Sequence, residues 1–262
     1  MIPKLLKLTA LTAVAFTFSA RAAEAPKKID LKPFQRVQDV VVPLPNEIFG
    51  ALNKLGGVNW KEYVRNNKGN KFTERPRIAL LLGTVIADGF IAVQAEDAPT
   101  VKDIGQRVLN LAQGIGVGNS ITLHAKAITE AADKRNWAGV RQELDRTQNS
   151  VQEAMKELND EKLSHLVSLG GWLRGTEVLT SVVNKRFSVD GAELLHQPDL
   201  LGYFEDRLRD MPQFNSKLVQ DIQVGLGEVR PLIDVGSAPI SPESVKKINE
   251  ITSRLDDAIV TK

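Results

Sequence analysis

The sequence predicts an all-α fold, a single-domain helical bundle with two central apolar helices at about 78–96 and 162–184 and an extended N-terminal arm. Three observations carry this. Apolar residues recur at helical spacing from Asn46 onward. Two segments, IALLLGTVIADGFIAVQAE and KLSHLVSLGGWLRGTEVLTSVVN, are apolar nearly all round, as in helices buried on every side. There is no Cys, so a hydrophobic core and not disulfides must hold the chain together.

The first 22 residues read as a secretory signal. Lys4 and Lys7 supply the positive start, Leu8 to Ala20 the apolar run, and Ala20-Arg21-Ala22 a small-x-small site that predicts cleavage after Ala22 or Ala23. The run is short against the roughly 20 residues of a membrane span, so a periplasmic or secreted location is expected. Subtracting Lys4, Lys7 and Arg21 from 34 basic residues leaves 31 against 32 acidic ones. With that balance, no electrostatic draw toward nucleic acid or an anionic membrane is expected. Thiolate metal sites, c-type haem attachment and Cys nucleophiles are excluded with the cysteines.

Residues 23–45 form the arm: APKKIDLKP is charged and bounded by proline, and VQDVVVPLP is β-branched until Pro43 and Pro45. Proline cannot donate a ladder hydrogen bond, so the arm is at best an edge strand or a strap. The bundle, residues 46–262, then begins with a short helix capped by Asn46 and stopped by Gly56-Gly57. In the first central helix, Asp88 near the middle favours a protein core over a bilayer, where a carboxylate costs about 2.5–3.5 kcal/mol. No membrane span is therefore expected once the signal is removed.

Thr100 and Asp103 suggest a capping-box start for the next helix, with Ile104, Val108, Leu111 and Ile115 along one face. In AQGIGVGNSI, Gly114, Gly116 and Gly118 read as a joint between helices, with Asn119 or Ser120 capping the restart. The Gly-Lys-Ser/Thr of a phosphate loop is missing, and a helix stands where a dinucleotide fold places a strand. The next helix carries a seam of Trp137, Val140, Leu144, Thr147, Val151, Ala154 and Leu158. Gly170, Gly171 and Gly175 sit inside the second central helix. Each costs about 1 kcal/mol against Ala, which predicts close approach of a neighbouring backbone. Helices around Leu200–Arg209 and Phe214–Ile233 follow, and Ser241-Pro242 starts the last, with Val245, Ile248, Ile251, Leu255 and Ile259 on its apolar side.

No metal or cofactor is expected. Glu193-x-x-His196 has the spacing of carboxylate-bridged di-iron bundles but lacks the second copy. With only His124, His165 and His196, no nucleophile triad is legible, and no catalytic residue is assigned. The candidate ligand-binding residues are charges on apolar faces. Leu163, Val167, Gly170, Arg174, Glu177 and Ser181 share a face of one central helix, and Arg77, Thr84 and Asp88 share a face of the other. Buried charges need partners, so Asp88, Arg174 and Glu177 are expected to meet, joined by His124. Such a cluster is either a structural ion pair or a polar pocket. The function expected is a binding, scaffolding or structural role with an unknown protein or small-molecule partner. The alternative is a small-molecule-binding enzyme or sensor built on those four residues.

Overall fold

The computed structural model describes residues 35–37, 40–42, 45–65 and 72–261. The expected signal at 1–22 lies outside them. Within the arm, two short strands, β1 (Gln35–Val37) and β2 (Val40–Val42), pair antiparallel with Gln35 opposite Val42 and Val37 opposite Val40. The chain thus folds back on itself as a two-stranded hairpin where an edge strand or a strap was expected.

Ten α-helices follow among the described residues, and leave the all-α expectation intact. Helix α1 (Pro45–Leu55) starts on its proline, one residue earlier than the Asn46 cap expected, because proline has its φ preset for a first turn. It ends where Gly56 and Gly57 take φ of 85° and 78°. A single 3₁₀ turn, Trp60–Glu62, then leads to the first central helix, α2 (Arg75–Gln94), buried without interruption from Ile78 to Val93.

Helix α3 (Ala98–Gly114) is capped by Asp97, which accepts from the Thr100 amide at 3.1 Å; the capping-box start at Thr100 is therefore corrected by one turn's geometry. Gly116 alone of the joint takes positive φ, 92°, and α4 (Gly118–Asp133) begins directly, with no side-chain cap from Asn119 or Ser120. Helix α5 (Trp137–Glu157) buries the expected seam from Val140 to Ala154, but Leu158 falls beyond its end and is exposed. The second central helix, α6 (Glu161–Lys185), is followed by α7 (Val189–Glu193), α8 (Pro198–Arg209), α9 (Lys217–Ile233) and α10 (Pro242–Val260).

Helices α2 and α6 cross at the centre through their glycines. A Cβ on Gly83 would overlap the Val167 carbonyl oxygen and lie 2.7 Å from the Gly171 amide; one on Gly170 would overlap the Leu80 carbonyl. Backbone therefore meets backbone, which accounts for Gly170 but not for Gly175, beside which a Cβ meets nothing within 4 Å. The partners advance together along both helices, from Gly83 opposite Val167 and Gly171 to Asp88 opposite Arg174, so the two point the same way. Around them α3 and α5 pack on α2, α5 and α10 on α6, α4 on α3 and α5, and α9 on α10. By length and composition α2 is apolar enough to cross a membrane, yet 89% of its most apolar window is buried inside this bundle.

Candidate functional site

Charged residues from four segments meet at the upper part of the α2–α6 crossing. Asp88, one turn beyond Thr84 on α2, accepts from Arg174 Nε of α6 at 2.7 Å. From the segment after the 3₁₀ turn, Arg65 reaches the same carboxylate, with Nε 3.2 Å from Oδ1 and Nη2 3.1 Å from Oδ2. Its Nη1 bonds Asp256 of α10. Arg174 Nη1 bonds Glu177, one turn on, and Nη2 donates to the Tyr63 carbonyl at 2.7 Å. Ser181 donates to Glu177 at 3.2 Å, and Asn249 of α10 donates to the Glu177 carbonyl at 3.0 Å. All three nitrogens of both guanidinium groups are thus engaged by protein. The forked geometry of arginine is what lets two cations share one carboxylate.

The burial is deep: Asp88 and Arg174 are 3% exposed and Asp256 2%. Burial pushes the Asp88 carboxyl up, but Arg174 and Arg65 together outweigh it and hold the group below the ordinary carboxylate value. For Arg65 the loss of water disfavours the charge, and the Asp88 and Asp256 carboxylates reverse that, so its pKa ends raised. Asp256 goes the other way. Burial, with Asp88 nearby, pushes its carboxyl up to about 6 against the pull of Arg65 and Arg174. Its Oδ1 is buried with no hydrogen-bond partner among the described residues, which suits a proton there.

The two acids therefore act oppositely on stability. The lowered pKa of Asp88 contributes stability above its ordinary value of 3.8 that is lost as the pH falls further. Asp256, raised from 3.8 to about 6, contributes stability that is full below 3.8 and lost as the pH rises through about 6. Asp256→Asn keeps an acceptor for Arg65 without the charge. Its melting temperature is expected to gain on the wild type's as the pH is raised across that window; a difference independent of pH would refute the assignment.

Three of the four expected residues, Asp88, Arg174 and Glu177, come together; His124 does not. Antiparallel pairing of α4 with α5 takes it into another cluster, where Nδ1 is 2.9 Å from Glu143 Oε2 and Nε2 3.0 Å from Ser150 Oγ. Arg77, expected on the Asp88 face, reaches α10 directly: it donates to the Ala258 carbonyl at 2.6 Å and to those of Ile259 and Thr261, closing that helix's C-terminus. Thr84 donates to the Gly170 carbonyl at 3.3 Å.

The other histidines are locally partnered. His165 shares a 2.7 Å hydrogen bond with the Tyr203 hydroxyl, and burial, with Arg207 nearby, lowers it to about 4, so it is neutral. His196 lies 3.1 Å from Glu193, its own i−3 neighbour, at the exposed end of α7. Among the described residues no group of three or more His, Asp or Glu is placed to hold a metal.

Two charged members of the core network were not expected from sequence. Asp256 had a signal: it continues the row Ile248, Thr252 on the buried side of α10, an acid at an apolar position. Arg65 had none, since it lies in irregular chain with no period to read. Chemically the network sets two guanidinium groups, each bonded through all three nitrogens, against three carboxyl groups, with Asp256 Oδ1 left unpartnered among the described residues. No family model, no curated protein and no solved structure matches this chain.

Proposed function

We propose that the chain is an exported helical-bundle protein, periplasmic or secreted, with a binding, scaffolding or structural role exercised at its surface. The observation that carries this reading is that protein groups engage both buried arginines at every guanidinium nitrogen. With every guanidinium nitrogen of Arg65 and Arg174 already bonded to Asp88, Asp256, Glu177 or Tyr63, the cluster ties the 60s segment, α2, α6 and α10 together. A pocket for a small molecule in that core would need polar groups turned toward the guest. The alternative, an enzyme or sensor built on Asp88, His124, Arg174 and Glu177, is weakened by the engagement of Arg174 and by the placement of His124 in another cluster. Export rests on the residues of the signal: Lys4, Lys7, the apolar run and the Ala20-Arg21-Ala22 site.

Intact-mass spectrometry of the protein, expressed with its own N-terminus in a two-membrane bacterium and purified natively from the exported fraction, tests both parts. The expected species begins at Ala23 or Glu24 and carries no stoichiometric small molecule. A chain retained in the cytoplasm with residues 1–22 intact overturns export. A bound molecule that is absent from the Arg174→Met protein overturns the structural reading of the core.

A further inference from the structure

Outside the core, on the α4–α5 face, one constellation has the connectivity of an activated serine. Glu143 and Ser150 are seven residues apart on α5, two turns along one face, and His124 of α4 stands between them. Nδ1 faces the Glu143 carboxylate at 2.9 Å and Nε2 faces Ser150 Oγ at 3.0 Å. Both distances lie in the range of a base holding a nucleophile's proton while a third group orients the ring.

We propose that Ser150 is a nucleophile toward small carboxylic esters, with His124 as its general base and Glu143 positioning the imidazole. The proposal goes beyond the surface role above and uses none of the residues of the core network. Burial disfavours the Glu143 carboxylate, but hydrogen bonds from His124 and Arg146 prevail and keep its pKa below the ordinary value. A carboxylate there accepts a hydrogen bond from Nδ1–H and so leaves the Nε2 lone pair to accept from Ser150. The site is reachable: the His124 side chain is 22% exposed, and Ser150 is half-buried.

The reaction balances with water as the only co-reactant. Ser150 Oγ bonds the ester carbonyl carbon as its proton passes to His124 Nε2. The C–O bond to the alcohol breaks, and the alcohol leaves with that proton. Water then attacks the acyl-serine and gives a proton to His124; the acid departs and Ser150 recovers its hydrogen. Ser150 lies inside α5, where backbone amides are already bonded along the helix, so the negative oxygen needs a side chain. Arg146, one turn before Ser150 and 2.6 Å from Glu143 Oε1, brings a guanidinium to that face with its side chain 53% exposed.

The test treats the intact chain with a fluorophosphonate probe, maps the label by peptide mass spectrometry, and follows p-nitrophenyl acetate hydrolysis. Label is expected on Ser150. His124→Gln and Arg146→Gln are each expected to slow labelling roughly 100-fold or more at unchanged melting temperature. Ser150→Ala, which removes only a hydroxyl, is expected to abolish catalysed ester hydrolysis even where His124→Gln disturbs the fold. An unlabelled Ser150, labelling at an equal rate in Arg146→Gln, or hydrolysis that persists in Ser150→Ala overturns the proposal and leaves a polar clasp between two helices.

Discussion

Gly170→Ala is expected to unfold this protein or to cost it more than about 4–5 kcal/mol, the range reserved for severe core lesions. The added methyl group would overlap the Leu80 carbonyl oxygen and stand 2.8 Å from its carbon and 3.0 Å from its Cα. These atoms belong to helix backbone and cannot swing aside as a side-chain tip would. The two helices must separate, and the layers packed around them must open with them. Gly175, five residues on, provides the internal control. A Cβ there meets nothing within 4 Å, so Gly175→Ala is expected to stabilise by about 0.4–1 kcal/mol through helix propensity and unfolded-state entropy. Urea unfolding of both variants reads the contrast. A Gly170→Ala midpoint at the wild-type value would mean that α2 and α6 do not cross backbone to backbone.

That contrast marks how far the sequence is legible. The cost of three glycines inside one apolar helix implies a neighbouring backbone, but not which glycine meets it. Gly170 does, a Cβ on Gly171 would stand at ordinary contact distance, 3.5 Å from the Gly83 carbonyl oxygen, and one on Gly175 would meet nothing within 4 Å. Periodicity located both central helices because burial on all sides leaves a long apolar run. It located Asp88, Arg174 and Glu177 because a charge on such a run must find a partner. It failed for Arg65, whose irregular segment has no repeat, and for His124, whose neighbours depend on how α4 pairs with α5. Glu143 and Ser150 are ordinary polar residues of an amphipathic helix until a second helix sets an imidazole between them. Caps shifted by a residue or a turn for a similar reason: Asp97 lies close enough to bond the Thr100 amide, and that competition is settled by local geometry.

Arg174→Met is the other substitution expected to have a large effect, a loss of roughly 3–5 kcal/mol, the cost of leaving a buried partner uncompensated. Methionine can fill much of the space of the arginine stem, so the loss is electrostatic before it is steric. Asp88 keeps the two bonds from Arg65, but Glu177 loses its cation and the Tyr63 carbonyl loses its donor. One guanidinium then faces three carboxylates, those of Asp88, Asp256 and Glu177. Without the pull of Arg174, burial pushes the Asp88 and Asp256 carboxyls further up, so the variant binds protons on folding. Its stability is therefore expected to recover on acidification and to fall as the pH rises, whereas a packing defect would cost the same at every pH. Adding Asp88→Asn to Arg174→Met removes one of the three carboxylates left to Arg65 and is expected to cost less than the sum of the two single substitutions. A wild-type melting temperature for Arg174→Met would show that the pair is not buried, and with it the structural reading of the network would fall.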